Sequence, residues 1–121
     1  YFNPASPNYL GDRPPTVVAQ TGVLNFPDTG GNVFGPAGVN VGTDNVAGRW
    51  VGFVEVPATG PVTFFTTSDD GSVLLIDGQL VVNNGGSHGM ETRQGTVTLT
   101  SGKHLIEIMY YEGTGGAGLI V

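Results

Sequence analysis

The chain has no cysteine, so it offers neither a disulfide nor a thiolate ligand. Its stability must come from a packed core, or from a metal ion held by oxygen and nitrogen donors. Basic residues are nearly as scarce: four Lys and Arg stand against ten Asp and Glu, for a formal net charge of −6. So few cations cannot neutralise many phosphates, which argues against nucleic acid as a partner and against an anionic membrane surface. No apolar run approaches the roughly 20 residues that cross a bilayer, so no membrane insertion is expected. Helical periodicity is missing as well, because glycine interrupts nearly every window of helix length.

What remains is a chain of 121 residues with 21 Gly, 8 Pro and 39% hydrophobic residues. The apolar residues fall in short β-branched and aromatic runs separated by Gly, Asn and Asp, the pattern of an all-β domain with many turns. The length suits one core, so a single domain over residues 1–121 is expected, excised from a larger multidomain protein. Tyr1 to Pro15, rich in Pro and Asn, is expected to run over the surface. Thr16 to Leu24 is expected as a strand, and Phe26 to Asp44 as a glycine-rich loop region. Strands are then expected over Arg49 to Val56 and Val62 to Thr67. Val73 to Ile76 and Gln79 to Val82 flank Asp77-Gly78, a two-residue hairpin signal because both turn positions need positive φ. Asn83 to Arg93 reads as a polar loop. Gly95 to Thr100 and Lys103 to Glu112 read as a further strand pair about Ser101-Gly102, and Leu119 starts a last strand. The fold class is therefore all-β, an antiparallel β-sandwich or barrel.

The most informative stretch is Ser68-Asp69-Asp70-Gly71-Ser72. Neighbouring side chains on an extended strand point to opposite faces, so both carboxylates serve one site only where the backbone is bent. The two charges repel unless a cation lies between them. The pair is thus either a solvated turn or half of a hard-metal site. Other loops supply oxygens that suit calcium: Asn83, Asn84, the Glu112 carboxylate and the carbonyls of Gly113 to Gly118. An EF-hand is excluded, because the twelfth position counted from Asp69 is Leu80 rather than Glu.

Three other patterns carry less chemistry. Gly113-Thr114-Gly115-Gly116-Ala117-Gly118 matches G-x-G-x-x-G, but strand-like Leu119-Ile120-Val121 follows where a phosphate-binding helix would have to start. His88 and His104 are too few for a zinc site, and no G-x-S-x-G nucleophile elbow occurs. His88 therefore reads as a loop-stabilising or rim residue, and no enzymatic activity is expected. Trp50 and Phe64 read as core residues by strand position. Of Tyr110 and Tyr111, one must face inward and one outward.

Several stretches in order resemble the PA14 domain, a β-sandwich module of the jelly-roll type found in bacterial toxins, adhesins, flocculins and glycosidase inserts. They are Arg49 to Phe53, Thr59 to Phe64, Ser68 to Ser72, Ile76-Asp77-Gly78, Gly102-Lys103-His104 with Ile106 to Glu112, and Gly116 to Leu119. In lectin-like members of that family the Asp pair is joined by a cis peptide and binds one calcium ion. A second loop adds oxygens, and sugar hydroxyls complete the shell. The resemblance implies that Asp69 and Asp70 hold calcium together with Glu112 and the backbone of Gly113, Gly115, Gly116 and Ala117. Asn84, His88, Tyr111 and Thr114 are expected at the rim of the ligand site. The resemblance further implies a glycan or polysaccharide partner, neighbouring domains of the same chain, and an extracellular or cell-surface location. The alternatives are a spacer module without sugar recognition and an accessory insert of a glycoside hydrolase.

Overall fold

The computed structural model of the chain describes residues 14–28, 30 and 42–121. Among these residues every regular element is a strand. They are β1 (Asn25–Phe26), β2 (Val46–Val56), β3 (Gly60–Asp69), β4 (Ser72–Ile76), β5 (Gln79–Asn84), β6 (Glu91–Leu99), β7 (Gly102–Glu112) and β8 (Gly118–Ile120). The strands form two four-stranded sheets, ordered β1-β8-β3-β6 and β2-β7-β4-β5, with every pair antiparallel. The architecture is the expected β-sandwich.

Sequence patterning explains how each strand is used. β2 alternates between part-buried and exposed residues, as a strand with one wet face must. All five residues of β4 are buried, which accounts for the unbroken apolar run Val73-Leu74-Leu75-Ile76. Leu74 and Ile76 join Ile108, Tyr110, Val82 and Leu119 in the core between the sheets. Val73 and Leu75 pack on the opposite face with Met109 and Tyr111. The two tyrosines divide as expected: Tyr110 is buried and Tyr111 half-buried. Trp50 packs against the core, its ring 6.5 Å from that of Tyr110 at 60°.

Asp77 and Gly78 both have positive φ, at 49° and 80°, and close the β4–β5 hairpin inside one sheet. The expected second strand pair is different. β6 pairs with β3 and β7 pairs with β2 and β4, so the turn at Ser101-Gly102 carries the chain from one sheet to the other. A short glycine turn has the same composition in either case; burial of both inner faces selects the crossing. Residues 16–24 form no strand, and only Asn25–Phe26 pairs, with β8. Segment 16–24 is mostly exposed, and within it only Leu24 joins the core. The expectations for 1–13 and for 31–41 of the glycine-rich region lie outside the described residues.

On one side the sheets approach so closely that a Cβ on Gly95 of β6 would sit 1.8 Å from the Val81 carbonyl oxygen of β5. Under the Asp pair, Thr66, Ser68, Ser72 and Asn84 are fully buried and linked by hydrogen bonds that join the two sheets.

Candidate functional site

The site forms where the chain leaves one sheet and enters the other. β3 ends with Asp69 opposite Gly118 of β8, and β4 begins with Ser72 opposite Tyr110 of β7. Asp69, Asp70 and Gly71 make that crossing, and the peptide bond between the two aspartates is cis. One carboxylate oxygen each from Asp69, Asp70 and Glu112 lie within 4.8 Å of one another.

The three carboxylates have different surroundings. Asp70 Oδ1 accepts hydrogen bonds from Ser87 Oγ at 2.8 Å and from the His88 N–H at 3.0 Å. Its Oδ2 accepts the Gly113 N–H at 2.7 Å. Asp69 receives no comparable donor to its carboxylate among the described residues. Burial, the Asp70 charge and then the Asp28 charge push the Asp69 pKa up, against a smaller pull from His88. Glu112 is fully buried; its Oε2 accepts the Asp70 N–H at 3.1 Å and lies 3.2 Å from the Tyr110 hydroxyl. Its Oε1 is buried without a hydrogen-bond partner among the described residues. Burial, then the Asp70 charge, raises the Glu112 pKa, and burial followed by the Glu112 charge raises that of the Tyr110 phenol far above its ordinary value. The cluster is electrostatically unsatisfied, and a cation is the direct remedy.

The donor set fits a hard ion. All three groups are carboxylates, no sulfur or imidazole nitrogen belongs to the cluster, and a buried carboxylate oxygen is left over. Glycine shapes the walls. A Cβ on Gly116 would come within 2.7 Å of Asp69 Oδ2, and one on Gly71 within 2.7 Å of the Gly86 carbonyl. Loop 85–90 thus docks directly against the Asp pair.

Several expected site residues take other roles. Asn84 is buried beneath the site, not at its rim; its Nδ2 donates to Glu91 O at 2.9 Å and reaches Thr66 O and Ser68 Oγ. Gly113 meets Asp70 through its N–H, while its carbonyl accepts the Asn45 N–H at 2.8 Å. His88 acts through its backbone, and its ring nitrogens lie 2.9 Å from Gly89 O and 3.1 Å from Asn84 O. Tyr111 packs on the outer cluster of β4 and β7, with its hydroxyl close to Gly113. Thr114 and Gly115 are exposed on the loop, Gly116 abuts Asp69, and Ala117 is buried.

Two residues escaped the sequence reading. Ser87 has no motif around it, and only the docking of its loop brings it to Asp70. Asp28 is remote in sequence, but β1 runs antiparallel to β8 with Phe26 opposite Leu119. Two residues further on, Asp28 reaches Gly116, where its Oδ1 lies 3.1 Å from the position of a Cβ. The groove of about 740 Å³ beside β2, lined by Trp50, Phe53 and Leu24 among others, contains none of these acids.

Residues 35–120 match the PA14 domain family. Over 74 residues the chain is 32% identical to anti-sigma-I factor RsgI3 of Acetivibrio thermocellus, covering 60% of this chain and 12% of that protein. Among solved structures it is similar to an anti-sigma factor domain-containing protein (TM-score 0.71, 30% identity, 80% of this chain and 33% of the other). It is also similar to the PA14 sugar-binding domain from an RTX adhesin (TM-score 0.68, 25% identity, 80% of this chain and 63% of the other). The chain therefore spans 12% of the curated relative and a third of the first of these structures. With most of its length matched, the chain belongs to the PA14 domain family.

Proposed function

We propose that this domain is a non-catalytic, calcium-dependent carbohydrate-binding module acting outside the cell or at its surface. The observation that carries the reading is the buried, unpartnered Glu112 Oε1 within a cluster of three carboxylates. Asp69, Asp70 and Glu112 would hold the ion, with loop 113–117 beside them. Asp70 is oriented by Ser87, His88 and Gly113, while Asp69 faces the outer side of the cluster with its carboxylate undonated among the described residues. Calcium supplies coordination sites for vicinal hydroxyls when bound, and it accepts the irregular oxygen shells that loops provide. The sugar-binding adhesin domain supports the carbohydrate half of this reading.

Similarity to two anti-sigma factor proteins favours a particular parent: a surface sensor in which glycan capture is passed to neighbouring domains of the same chain. The decisive experiment is a glycan array and calorimetric titration with and without a calcium chelator. Binding that needs calcium and is lost in Asp69→Asn supports the proposal. Binding that survives chelation would overturn the ion-bridged mechanism, and absence of all glycan binding in calcium would leave a spacer module.

A further inference from the structure

We propose that Asp28 is a charge filter at this site, one that admits neutral saccharides and turns away carboxylate-bearing ones. The inference rests on the calcium-dependent carbohydrate reading and adds to it a specificity-determining residue from a distant part of the chain.

Geometry places Asp28 beside the cluster but outside it. Its Oδ1 and Asp69 Oδ2 converge on the same point above Gly116, 3.1 and 2.7 Å from where a Cβ would be. Gly116 is needed there for space, because a side chain would drive the two carboxylates apart. The Asp28 carboxylate is also held in place: Oδ1 accepts the Gly30 N–H at 2.8 Å. Asp28 is exposed, so it faces whatever approaches the outer side of Asp69. Its charge is felt there, as one of the causes of the raised Asp69 pKa.

The local charge then decides the class of ligand. Asp28, Asp69 and Asp70 outweigh the two charges of calcium even with Glu112 protonated. Lys and Arg side chains do not restore the balance among the described residues. Arg49 is bridged to Glu107 at 3.0 Å and Arg93 to Glu91 at 2.9 Å. Lys103 opens β7 at the end opposite Glu112, about 30 Å away at a strand's rise per residue. His88 lies nearer, with its ring nitrogens on two carbonyl oxygens, but its pull on Asp69 is smaller than the push from Asp28. A uronic acid carboxylate would therefore meet the repulsion of Asp28, whereas a neutral diol meets only oxygen ligands and the ion. A unit charge about 6 Å away in a water-like medium changes affinity by about threefold, and by more where water is excluded.

The test uses Asp28→Asn, which keeps an oxygen for the Gly30 N–H and removes only the charge. Calcium titration by calorimetry first establishes that the wild-type domain and the variant are both loaded. Glucose with glucuronate, galactose with galacturonate, and mannose with mannuronate are then compared as pairs. The expected result is that wild type prefers the neutral member of any pair it binds, and that Asp28→Asn lowers this preference about threefold or more. An unchanged ratio in the variant, or a wild-type preference for the acid, would overturn the filter while leaving the carbohydrate reading standing. Calcium binding with no affinity for any of the six sugars would overturn the carbohydrate reading and the filter together.

Discussion

The Glu112 carboxylate accepts the backbone N–H of Asp70 at 3.1 Å, tying the end of β7 to the crossing between the sheets over 42 positions of sequence. One oxygen of Glu112 therefore builds the corner, and the other is buried with no partner among the described residues. That division predicts the behaviour of Glu112→Gln. The amide oxygen can still accept from Asp70, while the repulsion with Asp69 and Asp70 is relieved. In chelator the variant should be more stable by about 1 kcal/mol, the scale of a relieved buried polar mismatch. Its gain in melting temperature on adding calcium should shrink. Thermal melts with chelator and with millimolar calcium measure both, and an undiminished calcium gain would remove Glu112 from the ion's shell.

The adjacent aspartates should respond oppositely when no calcium is present. Asp70 accepts three protein donors, so Asp70→Asn breaks charge-assisted hydrogen bonds and should destabilise the domain by about 2–4 kcal/mol. Asp69 is held against its own charge by burial, by Asp70 and by Asp28, so Asp69→Asn should leave stability in chelator unchanged or slightly higher. Both variants should lose the calcium-induced rise, which for the wild type at 100 times Kd is about 2.7 kcal/mol. Equal destabilisation of the two variants in chelator would contradict the asymmetry.

His104 should titrate above the ordinary histidine value of 6.5. Its Nδ1 lies 2.6 Å from Asp77 Oδ2 and its Nε2 lies 2.8 Å from Thr100 O. Both partners are acceptors, and only the imidazolium donates from both nitrogens. The hydrogen bond to Asp77 is the main cause of the rise, and the same bond lowers the Asp77 pKa. A raised histidine pKa contributes stability that is complete below 6.5 and fades as pH climbs through the folded value. The lowered Asp77 value contributes above 3.8 and fades as pH falls. The pair thus works between those limits, and Asp77→Asn should bring the His104 midpoint in an NMR titration back toward 6.5. A wild-type midpoint at or below 6.5 would contradict the pairing.

Gly95→Ala should destabilise the fold by about 3 kcal/mol, the upper range for an overpacked site. Its φ is not in the left-handed region; the limit is space, since a Cβ would lie 1.8 Å from the Val81 carbonyl oxygen. Gly52→Ala in β2 is the control, with nothing within 4 Å of a new Cβ, and should be near neutral. Urea denaturation curves separate them, and equal midpoints would contradict the close approach of β5 and β6.

Much of the fold was legible because alternation and turn chemistry are local. The run Arg49 to Val56, the Asp77-Gly78 hairpin and the inward and outward tyrosines follow from side-chain period and positive φ alone. The turn at Ser101-Gly102 was not legible, since a hairpin and a sheet crossing need the same residues. Nor was segment 16–24, whose β-branched residues suggested a strand although most of it is exposed.

At the site, sequence by itself determined the pair Asp69-Asp70, the all-β class and the glycine loop after Glu112, because adjacent charges and short apolar runs are visible in order along the chain. Tertiary structure alone decided which groups surround the pair. It buried Asn84 below, turned the Gly113 N–H toward Asp70, and brought Ser87 and Asp28 alongside. The physical reason is that donors and charges act over a few ångströms of space, and the pairing of β1 with β8 and the docking of loop 85–90 set those distances.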